Sequence, residues 1–427
     1  MQSAQRTEFN HALEFAIRRA NEADLPLVVF FALKPDFPEA NRRHYHFMLE
    51  GLQEVEKSLA KRGIKFMLRI GEPVDIFLEL ARDAMLAITD KSYLRLERSW
   101  RQEIIAEAKL PIYELESNVV VPVEEASDKE EYAAYTIRKK INRQLDKYLK
   151  PIKQTDVLHS SLDLDLTGES LVDIDKLLAA LDVDDSVNEV REVSGGYSKA
   201  KERLEIFITE KLADYDQYSN DPTKDYQSGL SPYLHYGQIS PVEIALAVKN
   251  SEKESEDFLE QLIVRRELAI NFVYYNPEYD NLDEVLPDWA VETLEEHSSD
   301  QREYNYSLRE FEEALTHDKY WNAAQKELLT TGKIHGYMRM YWGKKILEWC
   351  DDYKKAFKIA LKLNNKYQLD GRDPNGYTGI AWCFGKHDRA WTERDIFGKV
   401  RYMNANGLKR KFNIDEYVKQ VNNYQLF

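Results

Sequence analysis

The sequence predicts an N-terminal α/β domain on a parallel sheet whose first strand is missing, then a linker, then an all-α C-terminal domain. Three observations predict it. Residues 1–125 alternate short apolar runs with amphipathic helical patterns. Residues 126–193 are densely charged. From residue 194 onward the apolar spacing is almost wholly helical. At about 150 residues per domain, 427 residues suit two or three such parts.

The first domain opens on a helix, Glu8 to Asn21, so the usual leading strand of such a sheet is absent. The apolar run Leu25 to Leu33 (LPLVVFFAL) is the first strand present. A helix from His44 to Lys61 closes at Gly63, and Lys65 to Ile70 (KFMLRI) is the next strand. A helix near Val74 to Arg82, a strand Met85 to Thr89, a helix Leu94 to Ala108 and an extended stretch Ile112 to Val121 complete the series. Short apolar strands separated by helices imply a sheet covered on both faces.

In the linker, Lys129 to Leu149 reads as a charged helix, and Leu162 to Val193 as a solvated acidic segment. The C-terminal domain has clear helical patterns at Lys199 to Tyr215, Pro241 to Asn250, Glu256 to Phe272, Leu308 to Ala314, Gly336 to Trp349, Tyr353 to Leu363 and Asp415 to Val421. The stretch Gly371 to Arg389 reads as a long functional turn.

Composition narrows the function. The hydrophobic fraction is 43%, enough for a large core. The net charge of -16 excludes a general polyanion binder, so any nucleic-acid site has to be a local basic patch. Two cysteines, Cys350 and Cys383, exclude a disulfide framework. No apolar run reaches the ~20 residues of a membrane span, and Met1 to Asn10 lacks a signal-peptide core. A soluble, cytoplasmic chain is expected. No GxGxxG after a strand, P-loop or HExxH is present, which argues against a nicotinamide site, a nucleotide P-loop and a metal.

Five of seven tryptophans lie between Trp321 and Trp391. Trp342 and Trp349, seven apart on one helical pattern, share a face. They read either as aromatic core or as a wire carrying electrons to a cofactor, and spacing does not separate the two. Lys399, Arg401, Lys409, Arg410 and Lys411 form a basic run with no acid between them, suited to phosphates or to a solvated helix end. Ser228 to Ser240 (SGLSPYLHYGQIS) places Ser and Gly ahead of a helix, which suits either a phosphate or a plain N-cap.

Several blocks, in order, carry a resemblance: LSPYLHYGQIS, IVRRELAINFVYYNPEYD, THDKYWNAAQKELLTTGKIHGYMRMYWGKKILEW, LDGRDPNGYTGIAW and KVRYMNANGLKRKF. From its first residues to about Tyr417 the chain resembles the class II cyclobutane pyrimidine dimer photolyases of the photolyase/cryptochrome superfamily. The resemblance implies a monomeric enzyme that repairs UV-damaged DNA with light and reduced FAD held in the C-terminal domain. A deazaflavin antenna is common in that family. Carried over onto this sequence, Tyr215, Ser228, Leu230 and Ser231 contact the FAD, Asn364 faces the flavin, Arg339 and Asp370 pair beside it, and Asp388 is a further cofactor position. Trp342, Trp321 and Trp349 match the electron-transfer tryptophans, with Trp342 innermost. Met340 and Trp382 match the lesion pocket. Arg389, Arg401, Lys409, Arg410 and Lys411 match the DNA-facing side.

Three departures stand out. The chain starts inside what is usually the first strand of the N-terminal domain. Gln261 replaces the lesion-contacting Glu of the family, in EQLIVRRE, and keeps hydrogen bonding without charge. Ser219 stands where an Arg usually precedes NDPT. These departures favour, as the alternative, a cryptochrome-like blue-light sensor with little repair, and Gln261 brings repair of the (6-4) photoproduct into view. Trp382, Met340, Arg389 and the basic run favour repair.

Overall fold

The first 125 residues fold as α1 (His11–Ala23), β1 (Val28–Leu33), α2 (Arg42–Lys61), β2 (Lys65–Ile70), α3 (Pro73–Leu80), β3 (Ala87–Asp90), α4 (Arg95–Glu107) and β4 (Ile112–Leu115). This is a computed structural model, and it describes residues 1–424. The chain divides into two compact units. One holds residues 1–126, 141–210 and 228–255; the other holds 127–140, 211–227 and the residues from 256 on.

In the first unit, β1 pairs in parallel with β2, Val28 opposite Lys65 through Leu33 opposite Ile70. β3 pairs in parallel with β4, Ala87 opposite Ile112. The expected parallel sheet is thus present as two halves, and no ladder joins β1 to β3 among the described residues. Both halves border a cavity of about 800 Å³ lined by Met1, Phe30, Met67, Phe77, Leu86 and Ile88.

The outer edge of β2 is partly covered. Glu169 N–H donates to Leu68 O at 2.7 Å, and Gly168 lets the two backbones approach, because a Cβ there would stand 2.9 Å from Leu68 O. The apolar face of α2 anchors the unit: Leu49, Leu52 and Leu59 are fully buried, each contributing about 1.5–3 kcal/mol of burial.

The second unit is helical. It is built around α5 (Arg266–Tyr275), α6 (Lys319–Thr331), α7 (Gly336–Glu348), α8 (Tyr353–Tyr367), α9 (Pro374–Cys383) and α10 (Ala405–Lys411). Helix α7 packs against α6, α8 and α9, and α9 also packs on α5. Two glycines permit these approaches. A Cβ on Gly343 of α7 would fall 2.7 Å from Cys383 Sγ of α9, and one on Gly376 of α9 would fall 2.9 Å from Asn364 Nδ2 of α8.

Two expectations change here. The stretch from Gly371 is no long turn, since it holds α9. Asp373 caps that helix by accepting from Asn375 N at 2.8 Å, and Pro374 starts it without losing a hydrogen bond. The helix expected from Glu256 to Phe272 is interrupted by a π-turn at Glu260–Arg265, where Glu260 holds Arg138 through 2.9 and 2.7 Å bonds. The tryptophan-bearing α6 was not among the helices read from sequence. Asp318 caps it through Tyr320 N (2.8 Å) and Trp321 N (3.1 Å), and Gly332 ends it in the left-handed region.

Candidate active site

Trp342 sits in the middle of α7 and Trp321 in the first turn of α6, so the α6–α7 contact stacks the two indoles. Their rings lie 6.3 Å apart and nearly parallel, at 6°. Trp349, just past α7, meets Trp321 at 6.2 Å and 66°. All three are buried, at 1%, 0% and 3% exposure, so solvent does not compete for these contacts. Both inner N–H groups are satisfied. Trp321 Nε1 donates to Trp342 O at 3.0 Å, and Trp342 Nε1 donates to Gln325 Oε1 at 2.8 Å. The ring order is therefore fixed as Trp342, Trp321, Trp349, and the structure brings all three together.

Asn364 near the end of α8 is 1% exposed. Its Nδ2 donates to Asn365 Oδ1 at 3.1 Å, while its Oδ1 is buried with no partner among the described residues. A buried acceptor left open costs about 1–3 kcal/mol, which is the mark of a group meant for a ligand donor such as a flavin N–H. Beside it the backbone is pinned: Arg372 takes a left-handed φ of 63° and donates Nη1 to Asn365 O at 2.9 Å. These residues fit a flavin.

Arg339 and Asp370 were expected as an ion pair. No ion pair joins them among the described residues. Both stay half-exposed, where water already stabilises each charge and little is gained by pairing. Tyr215 stacks edge-on against Phe258 at 5.4 Å, and burial pushes its phenol up to about 12. Ser228, Leu230 and Ser231 belong to the other unit. The helix they start, Ser231–His235, is a single short turn, and Ser240 serves as an ordinary cap, accepting from Val242 N at 3.2 Å.

Trp382 is half-buried near the end of α9, between Lys344 Nζ at 5.1 Å and Arg401 at 5.5 Å from its ring. Arg401 also lies 4.9 Å, and Arg389 5.0 Å, from the ring of exposed Trp391. Asp388, expected at the cofactor, receives Arg389 N at 2.8 Å and Trp391 Nε1 at 3.3 Å on its Oδ1, while its Oδ2 is buried with no partner among the described residues. Half-buried Met340 precedes Tyr341 on α7, and its carbonyl faces Cys383 Sγ at 4.0 Å. Gln261 is exposed on the π-turn, a device that re-aims one residue of a helix. Half-buried Ser219 ends the turn Tyr215–Tyr218, and its carbonyl accepts from Gln227 Nε2 at 2.5 Å. Lys409, Arg410 and Lys411 are exposed in the last turn of α10, their charges set at its carbonyl end.

Two residues went unread in the sequence. Lys344 is wholly buried, its Nζ donating to Cys383 O at 2.6 Å, and burial draws its pKa down to about 8. His335 caps α7 by accepting from Tyr337 N at 3.2 Å, and burial keeps it neutral with a pKa of about 4. In the first unit His46, Asp175 and Glu189 place ligand atoms within 4.8 Å of one another. Arg42 already bridges both carboxylates, at 2.5 Å from Asp175 and 3.3 Å from Glu189.

Comparison with known proteins decides the family. The chain is 51% identical over 421 residues to a deoxyribodipyrimidine photo-lyase of Methanothermobacter thermautotrophicus, covering 99% of this chain and 93% of that one. The chain belongs to the DNA photolyase family. Residues 1–157 match the family description "DNA photolyase". A photo-lyase of the same name from Potorous tridactylus is 40% identical over 430 residues, covering 99% of this chain and 80% of that one. Among solved structures, a bacterial class III photolyase from Agrobacterium tumefaciens superposes with a TM-score of 0.78 at 18% identity, covering 99% of this chain and 85% of that one. That likeness concerns the photolyase fold. No helix among the described residues is long and apolar enough to cross a membrane.

Proposed function

We propose that this photolyase repairs cyclobutane pyrimidine dimers in UV-damaged DNA with light, as a cytoplasmic monomer of the class II type, with reduced FAD held by the helical C-terminal part of the chain. The observation that carries the reading is the buried indole path Trp342–Trp321–Trp349 with its fixed order, in a chain 51% identical to an enzyme named for this activity. The long sequence blocks support the class II assignment.

Held there in its reduced form, FAD would supply the light-driven one-electron chemistry of dimer splitting. The residues of the chain hold the reactants and replenish charge. Asn364 offers its open Oδ1 to a flavin N–H. Trp342, backed by Trp321 and then Trp349, would relay electrons toward that cofactor. The half-buried ring of Trp382, with Met340, walls the flipped-out dimer by stacking. Arg401, beside Trp382, balances negative charge on that dimer. Gln261 hydrogen-bonds a base without contributing charge. Arg389 and Lys409–Lys411 hold the phosphates and read no sequence.

The test is to illuminate the reduced, FAD-loaded protein with a dimer-containing single-stranded oligonucleotide and follow intact thymine against a dark control. Light-dependent recovery is the expected result. Flavin-bound protein that restores no thymine overturns the reading.

A further inference from the structure

Residues 391–399 close into a small hairpin that carries part of the basic and aromatic cluster around Trp391. Trp391 N donates to Lys399 O at 2.8 Å, and Arg394 and Gly398 exchange backbone bonds of 2.9 and 2.7 Å. The hairpin docks on the helix Asp288–Glu296 and the loop that follows it. Lys399 N donates to Thr293 Oγ1 at 3.0 Å, and a Cβ on Gly398 would stand 2.9 Å from His297 Cδ2. Ile396 sits at the tip with a left-handed φ of 70°, a costly conformation for a β-branched residue. The Asp300 carboxylate holds it there, since Oδ2 accepts from Ile396 N at 2.7 Å. The same oxygen meets His297 Nδ1 at 2.6 Å, while His297 Nε2 meets Glu393 Oε1 of the hairpin at 3.2 Å.

We propose that His297 is a positioning residue for DNA binding: as an imidazolium it bridges Asp300 and Glu393, and so holds the hairpin that presents Trp391 between Arg389 and Arg401. This rests on the reading of that cluster as part of the DNA-facing side. A neutral imidazole has one N–H and can donate to only one of the two carboxylates. Its bare nitrogen then faces the other. Loss of the proton therefore releases the Glu393 arm, while Asp300 keeps its bond from Ile396 N. The hairpin loosens, and Trp391 and Arg401 lose their fixed place.

Three features favour this over a plain surface tether. Both ring nitrogens face carboxylate oxygens, which only the doubly protonated ring satisfies. The carboxylate that the imidazolium balances, Asp300, is the one that fixes the strained tip of the hairpin. The bonds to Asp300 and then Glu393 also raise the pKa of His297 above its ordinary 6.5. With a raised pKa the bridge is closed below that value and opens as pH rises through it. The charged groups around the ring are Asp300 and Arg302 on its own loop and Glu393 on the hairpin. Arg302 donates to the carbonyls of Asp300 at 2.6 Å, His297 at 3.2 Å and Cys350 at 3.0 Å. None of those bonds titrates with the ring, so the loop stays put and the hairpin is the part that moves.

The test is to bind FAD-loaded protein in the dark to a fluorescent duplex carrying one dimer, at constant ionic strength, from about pH 5.5 to 9. The expected result is an affinity that falls about three- to fivefold as pH rises, the size of one partly exposed ion pair, with its midpoint above 6.5. His297→Gln, which keeps hydrogen bonding without charge, should bind at the weak level throughout and flatten the profile. Glu393→Gln, on an exposed side chain, should move the midpoint down, because it removes one of the two carboxylates that hold the proton. A His297→Gln profile that keeps the parent's midpoint overturns the proposal. A midpoint that Glu393→Gln leaves unmoved overturns it equally. Trp391→Ala at about pH 6 separates the two levels. If it leaves affinity unchanged, the hairpin does not face DNA and the underlying reading fails. If it weakens binding while His297→Gln keeps the profile, only the bridge fails.

Discussion

The tryptophan path of the helical unit and the split sheet of the N-terminal unit solve opposite problems. Around Trp342 and Trp321 the rings are buried and both indole N–H groups have acceptors, so one arrangement is fixed to within a rotamer. Around β1 and β3 each strand has a single ladder partner and borders a cavity. That region is held by polar tethers from the first residues. The Met1 amino group donates to Phe30 O at 3.0 Å, and the Asp90 carboxylate receives Gln2 N at 2.9 Å and Ala4 N as well. The difference teaches where precision is spent. The stacked indoles sit in a satisfied, close-packed interior, while the sheet with open edges tolerates looser packing.

This contrast can be broken most sharply at the middle rung. Trp321→Phe should slow light-driven reduction of the bound oxidised cofactor about tenfold or more, equal to about 1.4 kcal/mol of barrier. The rate of absorbance loss under blue light with a thiol present measures it. Next in size, Asn364→Leu should weaken FAD binding by about 10–100-fold, the value of about 1–3 kcal/mol for one hydrogen bond to a buried acceptor. Equilibrium titration of the apoprotein with FAD decides that. In the sheet region, Asp90→Ala should cost about 1–3 kcal/mol and speed hydrogen exchange at Gln2 and Ala4. It should leave photoreduction unchanged, and a shared loss of both would erase the contrast.

Lys344 sharpens the comparison from inside the helical unit. Its folded-state pKa of about 8 lies below the ordinary 10.5. Between these values the unfolded chain binds the extra proton, so stability rises with pH through that window. Lys344→Met should remove that rise and hold stability level between about pH 8 and 10.5, read as the difference in Tm between variant and parent. The smallest effect is expected at the surface. Lys409→Ala and Lys411→Ala should each lower the salt slope of DNA binding by about one and leave discrimination for the dimer unaltered.

Much of this was legible in the sequence, and the failures have physical causes. The strands of the first unit follow from apolar runs of strand length. The tryptophan group was visible as a cluster, but its stacking depends on α6, which went unread although Asp318 and Gly332 flank it as caps. Helix α9 looked like a turn because GRDPNGYTG is rich in Gly and Pro. Asp373 and Pro374 instead start a helix there, and Gly376 lets it close on Asn364. Lys344 could not be found by pattern, since Lys344 and Lys345 are adjacent on one helix and both are buried. The expected Arg339–Asp370 pair came from resemblance alone, with no local signal behind it. The π-turn that presents Gln261 depends on packing and on the Arg138–Glu260 bond, which join segments 122 residues apart.

The central claim is that the indole path supplies the cofactor with electrons and takes no part in splitting the dimer. The most direct test measures dimer repair by Trp342→Phe from two starting states. Protein reduced chemically beforehand should restore thymine under light at the rate of the unmodified chain. Protein left oxidised and given only light and a thiol should restore none, although the unmodified chain does. Equal repair by the variant from both starting states would contradict the account.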